Sequence, residues 1–181
     1  MVNCSRKLGF TLVEVLVVVA IMGILSGIGV ASLRSAVANS RIKDAGINVT
    51  AFMQRAANEA TRLNEKLCAH VSDDKTLKLY KGACGESFDE DTKIDEFVLE
   101  SLNKFVTASN NVNCPVLSGK SPETSVTLTP KIGVSPIPTG CFLIRYGETD
   151  RFAASIKEST KFSMYYQLSY SSGAAGTWFE P

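Results

Sequence analysis

The sequence has little of what most enzymes and nucleic-acid-binding proteins need. Its 181 residues include one histidine, His70, and the lysines and arginines nearly balance the acids, for a formal net charge of +1. Such a balance provides no broad basic field, so no nucleic-acid partner is expected. The chain has no paired histidines, no G-x-S-x-G motif and no P-loop. These absences predict a protein that is not an enzyme and that has no cofactor and no metal site.

Residues 10–33 contain almost no charge and no proline. Between Phe10 and Leu33 the single charged residue is Glu14. About 20 apolar residues span a bilayer as a helix, whereas the apolar core of a cleaved secretory signal has about 7–15. Residues 10–33 are therefore predicted to form a retained transmembrane helix.

After Leu33 the apolar residues thin to one stripe with spacings of three and four, which is typical of an amphipathic helix. The stripe consists of Ala38, Ile42, Ala45, Val49, Phe52, Ala56, Ala60, Leu63 and Leu67. No proline interrupts residues 10–67, so residues 34–67 are predicted to continue the same helix. Gly46 is its weak point and could mark a bend.

Residues 68–181 are predicted to form a β-rich globular head. β-Branched and aromatic runs indicate strands at LCAHVS, TLKLY, SVTLT, CFLIRY and FSMYYQLSY. The segment KIDEFVLESLNKF predicts a second, short helix, because its apolar residues recur at helical spacing. The expected fold class is α+β, with an antiparallel β-sheet head packed on the long helix. Near the C-terminus, Trp178 and Phe179 are expected to pack back on the head.

Four cysteines follow the apolar span, and they are Cys68, Cys84, Cys114 and Cys141. An even number in a domain of modest size favours two disulfides and an oxidising compartment, and no spacing resembles a CxxC zinc site. Three pairings are possible, of which we favour the sequential one. Free thiols in a cytosolic domain are the alternative. Basic residues flank the span on both sides, so the cysteines rather than the charges favour a cytoplasmic N-terminus and an extracytoplasmic head.

Glu14 has three possible explanations in a segment suited to lipid. It could extend to water near the cytoplasmic end of the span, or it could belong to an ion-transport path. Transport usually needs several spans, and this chain has one candidate. The third explanation comes from the residues KLGFTLVE, in which a basic leader ends at Gly9 and an acid follows five positions into the chain that begins at Phe10.

This pattern from Lys7 to about Leu33 resembles the prepilin signature of type IV pilins and of the pseudopilins of type II secretion. The resemblance implies a leader, residues 1–9, that a prepilin peptidase removes between Gly9 and Phe10. The same enzyme would methylate the new amine of Phe10. It also implies a type IV pilin-like fold, inner-membrane insertion, and assembly with other subunits on an inner-membrane platform. Glu14 would then pair with the terminal amine of a neighbouring subunit.

Two further features concern the span. Gly23 and Gly27 form a small-xxx-small pair that could allow close helix packing. Many pilins have a proline near the position of Ala31, and this chain lacks it, so Gly27 and Gly29 would have to provide any local flexibility.

The identity of the machine and of the subunit type stays open. The run AANEATRLNEKLCAHV resembles minor pseudopilins of the H type and related minor pilins, and a major subunit is the other possibility. The acids Asp89, Glu90 and Asp91 lack EF-hand spacing, so a solvated loop is favoured over a calcium site. The alternative from another class is a binding or enzyme domain held by a signal anchor, in which case residues 1–9 would be retained.

Overall fold

The computed structural model describes residues 10–85, 88–100, 102–106, 114, 122–130, 141–149, 151–157, 162–168 and 177–180. The chain divides into two compact units, Met1–Val37 and Ala38–Pro181. In the first unit, the described residues are Phe10, Thr11 and the start of one long helix. The second unit contains the rest of that helix and the β-rich head.

The long helix, α1, extends over Leu12–Leu63. It ends where Asn64 adopts a left-handed conformation with φ of 53°, and the N–H of Glu65 bonds to the carbonyl oxygen of Ala60 at 3.2 Å. Asparagine tolerates this conformation and is common after the last helical residue. The helix is therefore shorter than predicted, and Leu67 belongs to a strand instead.

Within the described part of the chain, eight strands follow α1 and form two four-stranded antiparallel sheets, so the fold is α+β as predicted. The strands are β1 (Leu67–Val71), β2 (Thr76–Lys81), β3 (Lys93–Val98), β4 (Asn103–Val106), β5 (Ser125–Leu128), β6 (Cys141–Tyr146), β7 (Arg151–Lys157) and β8 (Phe162–Leu168). The first sheet has the order β3-β2-β1-β5, and the second has the order β4-β6-β7-β8. The head is divided into two sheets because β4 pairs with β6 and not with β3.

The apolar stripe of α1 packs into a single core with both sheets. Ile42 and Val49 are fully buried, and the stripe from Ala38 to Ala60 is buried at every predicted position. Met53 and Ala57 widen the stripe, and the core also takes Phe105, Phe142 and Ala153 from the second sheet. The prediction that this part of α1 is amphipathic is confirmed.

The predicted second helix is wrong, because its residues form β3, a turn and β4. Tyr80 pairs with Lys93 and Leu79 pairs with Asp95, so Ile94 is an extra residue in β3. A bulge of this kind changes the alternation of sides. As a result Ile94 and Phe97, three residues apart, both pack on the core and imitate helical spacing.

Gly46 lies where α1 packs closely on the second sheet. A Cβ atom at this position would be 2.9 Å from the Cβ of Ala153 and 3.2 Å from the Cγ of Met164. The helix continues through Gly46. The residue therefore provides room for close packing of α1 on the second sheet.

The disulfides are Cys68–Cys84 and Cys114–Cys141, the pairing that we favoured from the sequence. The first joins β1 to the segment after β2. The second lies in a smaller cluster on the face of the second sheet that points away from α1. Trp178 packs against this cluster, and Phe179 pairs with Tyr166 of β8, so the C-terminal aromatics pack on the head as expected.

Candidate functional site at the start of the long helix

The candidate site begins with the cap of α1. The Thr11 hydroxyl oxygen accepts a hydrogen bond from the backbone N–H of Glu14 at 3.2 Å, and the Thr11 carbonyl accepts one from Val15 at 3.3 Å. The first N–H groups of a helix have no partner within it, so a threonine cap stabilises them. Thr11 thus starts the helix at a defined residue and fixes Glu14 in its first turn.

Phe10 and Glu14 both lie on the surface of this chain. Phe10 is 82% exposed, and the side chain of Glu14 is exposed and has no ion-pair partner in the described part of the chain. The positive end of the helix dipole stabilises a nearby acid by about 0.3–1 kcal/mol, whereas a charge deep in hydrocarbon costs about 2.5–3.5 kcal/mol. The dipole alone therefore does not offset the cost of Glu14 in lipid.

The other half of the predicted cleavage site, Gly9, lies outside the described residues, as does the whole of the predicted leader. The structure therefore describes the side of the site that would become the new N-terminus.

The surface of α1 around this site is apolar on all sides. Each large apolar residue from Phe10 to Leu33 is at least 45% exposed. By length and composition, α1 is the one helix among the described residues that could cross a membrane, and none of its most apolar window is buried. An apolar surface of this extent needs lipid or other helices as its surroundings.

Gly23 and Gly27 leave an open strip on that surface. A Cβ atom built at either position would meet no atom within 4 Å. Within the described part of the chain nothing packs on Gly23 and Gly27, so the two positions are open to a neighbouring helix. The side chain of Ala31, where many pilins have a proline, lies outside the described residues.

Of the three acids considered for calcium, Glu90 forms ion pairs and Asp89 caps a turn. They occupy a short 3₁₀ turn, Glu90–Thr92, preceded by Asp89. Glu90 pairs with Lys78 and Lys93, and the hydrogen bond from Lys78 lowers the pKa of the Glu90 carboxyl. No group of three or more potential ligand side chains that could hold a metal ion is found in the described residues.

His70 lies beside a disulfide and an aromatic ring. Its ring stacks on Phe88 with centroids 3.9 Å apart, and the neighbouring Cys68 is bonded to Cys84. Burial lowers the pKa of the His70 imidazole. With its sulfur in a disulfide, Cys68 cannot serve as a nucleophile for His70.

The cap at Thr11 is a feature of the site that the sequence analysis missed, although its signal was present. Thr11 and Glu14 have the spacing of a capping box, with a threonine followed three residues later by a glutamate. The pattern predicts a helix start at this point, and Leu12 is the first helical residue.

Residues 4–30 match the family model of the prokaryotic N-terminal methylation motif. No curated protein and no solved structure matches the chain significantly. The match covers the end of the predicted leader, Phe10, Glu14 and most of the apolar part of α1. Together the motif and the apolar helix indicate membrane anchoring.

Proposed function

We propose that this chain, whose N-terminal motif indicates a type IV pilin or pseudopilin precursor, is a structural subunit of a type IV pilus or of a type II secretion pseudopilus. One observation carries the proposal. The methylation motif at residues 4–30 includes the first part of α1. The surface of this part is apolar on all sides and exposed. The motif favours a structural protein over an enzyme.

Processing would convert the exposed start of the chain into the assembly site. A prepilin peptidase would remove residues 1–9 by cutting between Gly9 and Phe10, and would methylate the amine of Phe10. Removal of the leader takes Arg6 and Lys7 away from the start of α1 and creates one positive charge at Phe10. The new charge would lie four residues from Glu14.

Glu14 would set the register of assembly. A carboxylate in a helix bundle of low dielectric is costly unless it is paired, so a cation on a neighbour stabilises one axial position and disfavours the others. The methylated amine of Phe10 on the next subunit is such a cation. The cap at Thr11 supports this role, because it fixes Glu14 at the third position of the helix.

The rest of the precursor would serve the same assembly. Residues 10–33 would lie in the inner membrane among lipid before assembly, and Gly23 and Gly27 would allow neighbouring helices to approach. Residues 34–67 would continue into the head, residues 68–181, on the periplasmic or extracellular side. The N-terminus would be cytoplasmic until an inner-membrane platform extracts the subunit into the filament.

The subunit type is a finer proposal. The run that ends α1 and forms β1 resembles minor pseudopilins of the H type, so we expect few copies per filament. The alternative function is an extracytoplasmic binding or enzyme domain held by a signal anchor. The two differ at the N-terminus, since an anchored domain would keep residues 1–9.

The first experiment is intact-mass and N-terminal analysis of the protein from its native membrane. We expect a chain that begins at methylated Phe10. A mature chain that begins at or near Met1 would contradict the proposal and leave the anchored domain as the explanation.

The second experiment tests Glu14 by substitution. Glu14→Ala should leave cleavage intact. It should lower the fraction of the subunit in sheared filaments by at least about tenfold, because leaving the terminal amine unpaired costs more than about 1.4 kcal/mol of assembly free energy. Glu14→Asp, which keeps the charge, is the matched control and should retain part of the incorporation. Normal incorporation of Glu14→Ala beside wild type would refute the pairing.

A further inference from the structure

Two lysines mark the end of the head where α1 terminates. Lys66 immediately precedes β1, and Lys81 ends β2 opposite Leu67. The N–H of Gly82 donates to the carbonyl oxygen of Lys66 at 2.7 Å, which holds the two lysines close together along the backbone. Both side chains are exposed. This pair is called the lysine end.

Lys66 and Lys81 differ from most basic residues of the head. Within the described residues neither forms an ion pair or a ring contact, and Glu65 is the acid next to them in the chain. By contrast, Lys78, Lys93 and Lys104 are paired with acids, and Lys43 lies over the ring of Tyr166. The lysine end thus presents charge that the described chain does not neutralise.

A groove with acidic residues lies at another place in the head, between α1 and the turn that joins β3 to β4. Its volume is about 340 Å³, and its acids are Asp44 and Glu100. Both are exposed and form no ion pair within the described residues, although Asp44 accepts a long hydrogen bond of 3.4 Å from Ser40. Among the described residues of the lining, Arg41 is the basic one. This is called the acidic groove.

The groove is suited to the side chain of a lysine. Its volume is about twice the ~150 Å³ of a cavity that holds benzene. Phe97 and Leu99 supply apolar lining beside the acids, and Val98, which also lines the groove, is 52% exposed. A lysine stem can lie along such apolar atoms while its ammonium group reaches a carboxylate.

The lysine end and the acidic groove lie at opposite ends of the head. Val98 pairs with Thr76 at the start of β2, whereas Lys81 is at the end of that strand. Along α1, Asp44 and Leu63 are separated by about 28 Å at 1.5 Å per residue. The lysines and the acids therefore cannot meet within one chain.

We propose that the lysine end of one copy of this chain binds the acidic groove of a second copy, as a head-to-tail contact between neighbouring heads. Opposite charges at opposite ends suit a heterologous contact, which produces an open filament when it does not close into a ring. The inference rests on the proposed filament function. It requires two copies of this chain to lie next to each other in the filament.

Zero-length carbodiimide cross-linking of the full mature protein in filaments sheared from native cells tests the contact. We expect a covalent amide between Lys66 or Lys81 and Asp44 or Glu100, identified by mass spectrometry. In a mixture of isotopically light and heavy subunits, part of this link should join light to heavy chains. Assembled wild-type filaments without the link would overturn the contact and leave the filament function standing.

A charge swap provides an independent measurement. Lys66→Glu with Lys81→Glu should lower incorporation into filaments by about tenfold, because like charges then face each other. Adding Asp44→Lys and Glu100→Lys to the same chain should restore it. Asp91→Lys, at an exposed acid away from the groove, is the control and should have no effect.

The remaining outcomes separate the two proposals. If the double glutamate variant assembles normally, or if the link joins these residues to a different subunit, the contact between copies is wrong. If wild type is never found in filaments at all, the proposed function itself fails.

Discussion

The two parts of α1 differ in what surrounds them. From Phe10 to Leu33 the large apolar side chains are exposed on every side of the helix, whereas from Ala38 to Ala60 the apolar stripe is buried in the head. Both parts belong to one continuous helix without proline. The difference shows that helix formation and burial are separate properties of this sequence.

This difference indicates where each part gains its stability. Helices in proteins are stabilised chiefly by packing of an apolar face rather than by propensity. The second part of α1 finds that packing within its own chain. The first part must find it in lipid or in other helices, so its substitutions should leave the folding of the head unchanged, while those in the second part should affect that folding.

The largest expected effect comes from a cavity in the buried part. Ile42 is fully buried in the core, and Ile42→Ala should destabilise the head by about 2–5 kcal/mol through lost burial and a residual cavity. For a head of this size, that corresponds to a fall in Tm of roughly 5–20 °C. Thermal unfolding of the full chain in detergent, followed by near-ultraviolet circular dichroism, measures it.

Leu16→Ala is the matched control in the exposed part. Leu16 is 62% exposed and lies outside the core of the head, so the Tm of the head should stay within about 1 °C of wild type. Equal losses in the two variants would remove the distinction between the parts of α1.

The sequence predicted the helix and its change of character because both depend on local patterns. The apolar residues of the stripe from Ala38 to Ala60 recur every three or four positions, so a helix places all of them on one side. The uncharged run before the stripe has no polar face. The strands β1, β2, β5, β6 and β8 were likewise predicted from β-branched and aromatic runs. The candidate site at Gly9, Phe10 and Glu14 came from a short motif rather than from long-range packing.

The errors concern features that depend on residues distant in the chain. The bulge at Ile94 is defined by pairing with Tyr80, and the strand β7, RFAASIK, has few large residues of its own and is buried by its neighbours. The role of Gly46 depends on Ala153, which is more than a hundred residues away. The local sequence does not reveal these distant partners, and at the bulge its spacing imitates that of a helix.

Gly46→Ala should sharpen the comparison with a smaller effect. The new Cβ would lie 2.9 Å from the Cβ of Ala153. Two Cβ atoms cannot stay this close, so the helix or the sheet would have to shift. Overpacking costs about 1–3 kcal/mol, and the gain of up to about 1 kcal/mol in helix propensity offsets part of it. We expect a net loss of about 1 kcal/mol in head stability, measured by denaturant unfolding.

Two variants make that result specific. Gly23→Ala adds the same methyl group where no atom lies within 4 Å, so it should not lower head stability. In an Ala153→Gly background, Gly46→Ala should cost less than in wild type, because the clashing methyl group is absent. An unchanged cost there would show that the contact with Ala153 is not the cause.

The smallest effect is a pH dependence confined to the head. Burial lowers the pKa of His70 in the folded state, so the folded chain binds fewer protons than the unfolded chain between that pKa and the usual value of about 6.5. The contribution of His70 to the free energy of unfolding should therefore be fully present above pH 6.5 and should be lost as the pH falls below that value. Lys78, directly opposite His70 in β2, adds to the cost of protonation.

Thermal unfolding of wild type and His70→Gln between pH 7.5 and 5 measures this contribution. The carboxyls with lowered pKa, Glu59, Asp73 and Glu90, titrate below their usual values of about 4–4.5 and so contribute little in this range. We expect the Tm of wild type to fall more than that of His70→Gln as the solution is acidified. Parallel curves for the two proteins would mean that His70 does not titrate differently on folding. Leu16→Ala should follow the wild-type curve, since the exposed part of α1 has no share in the environment of His70.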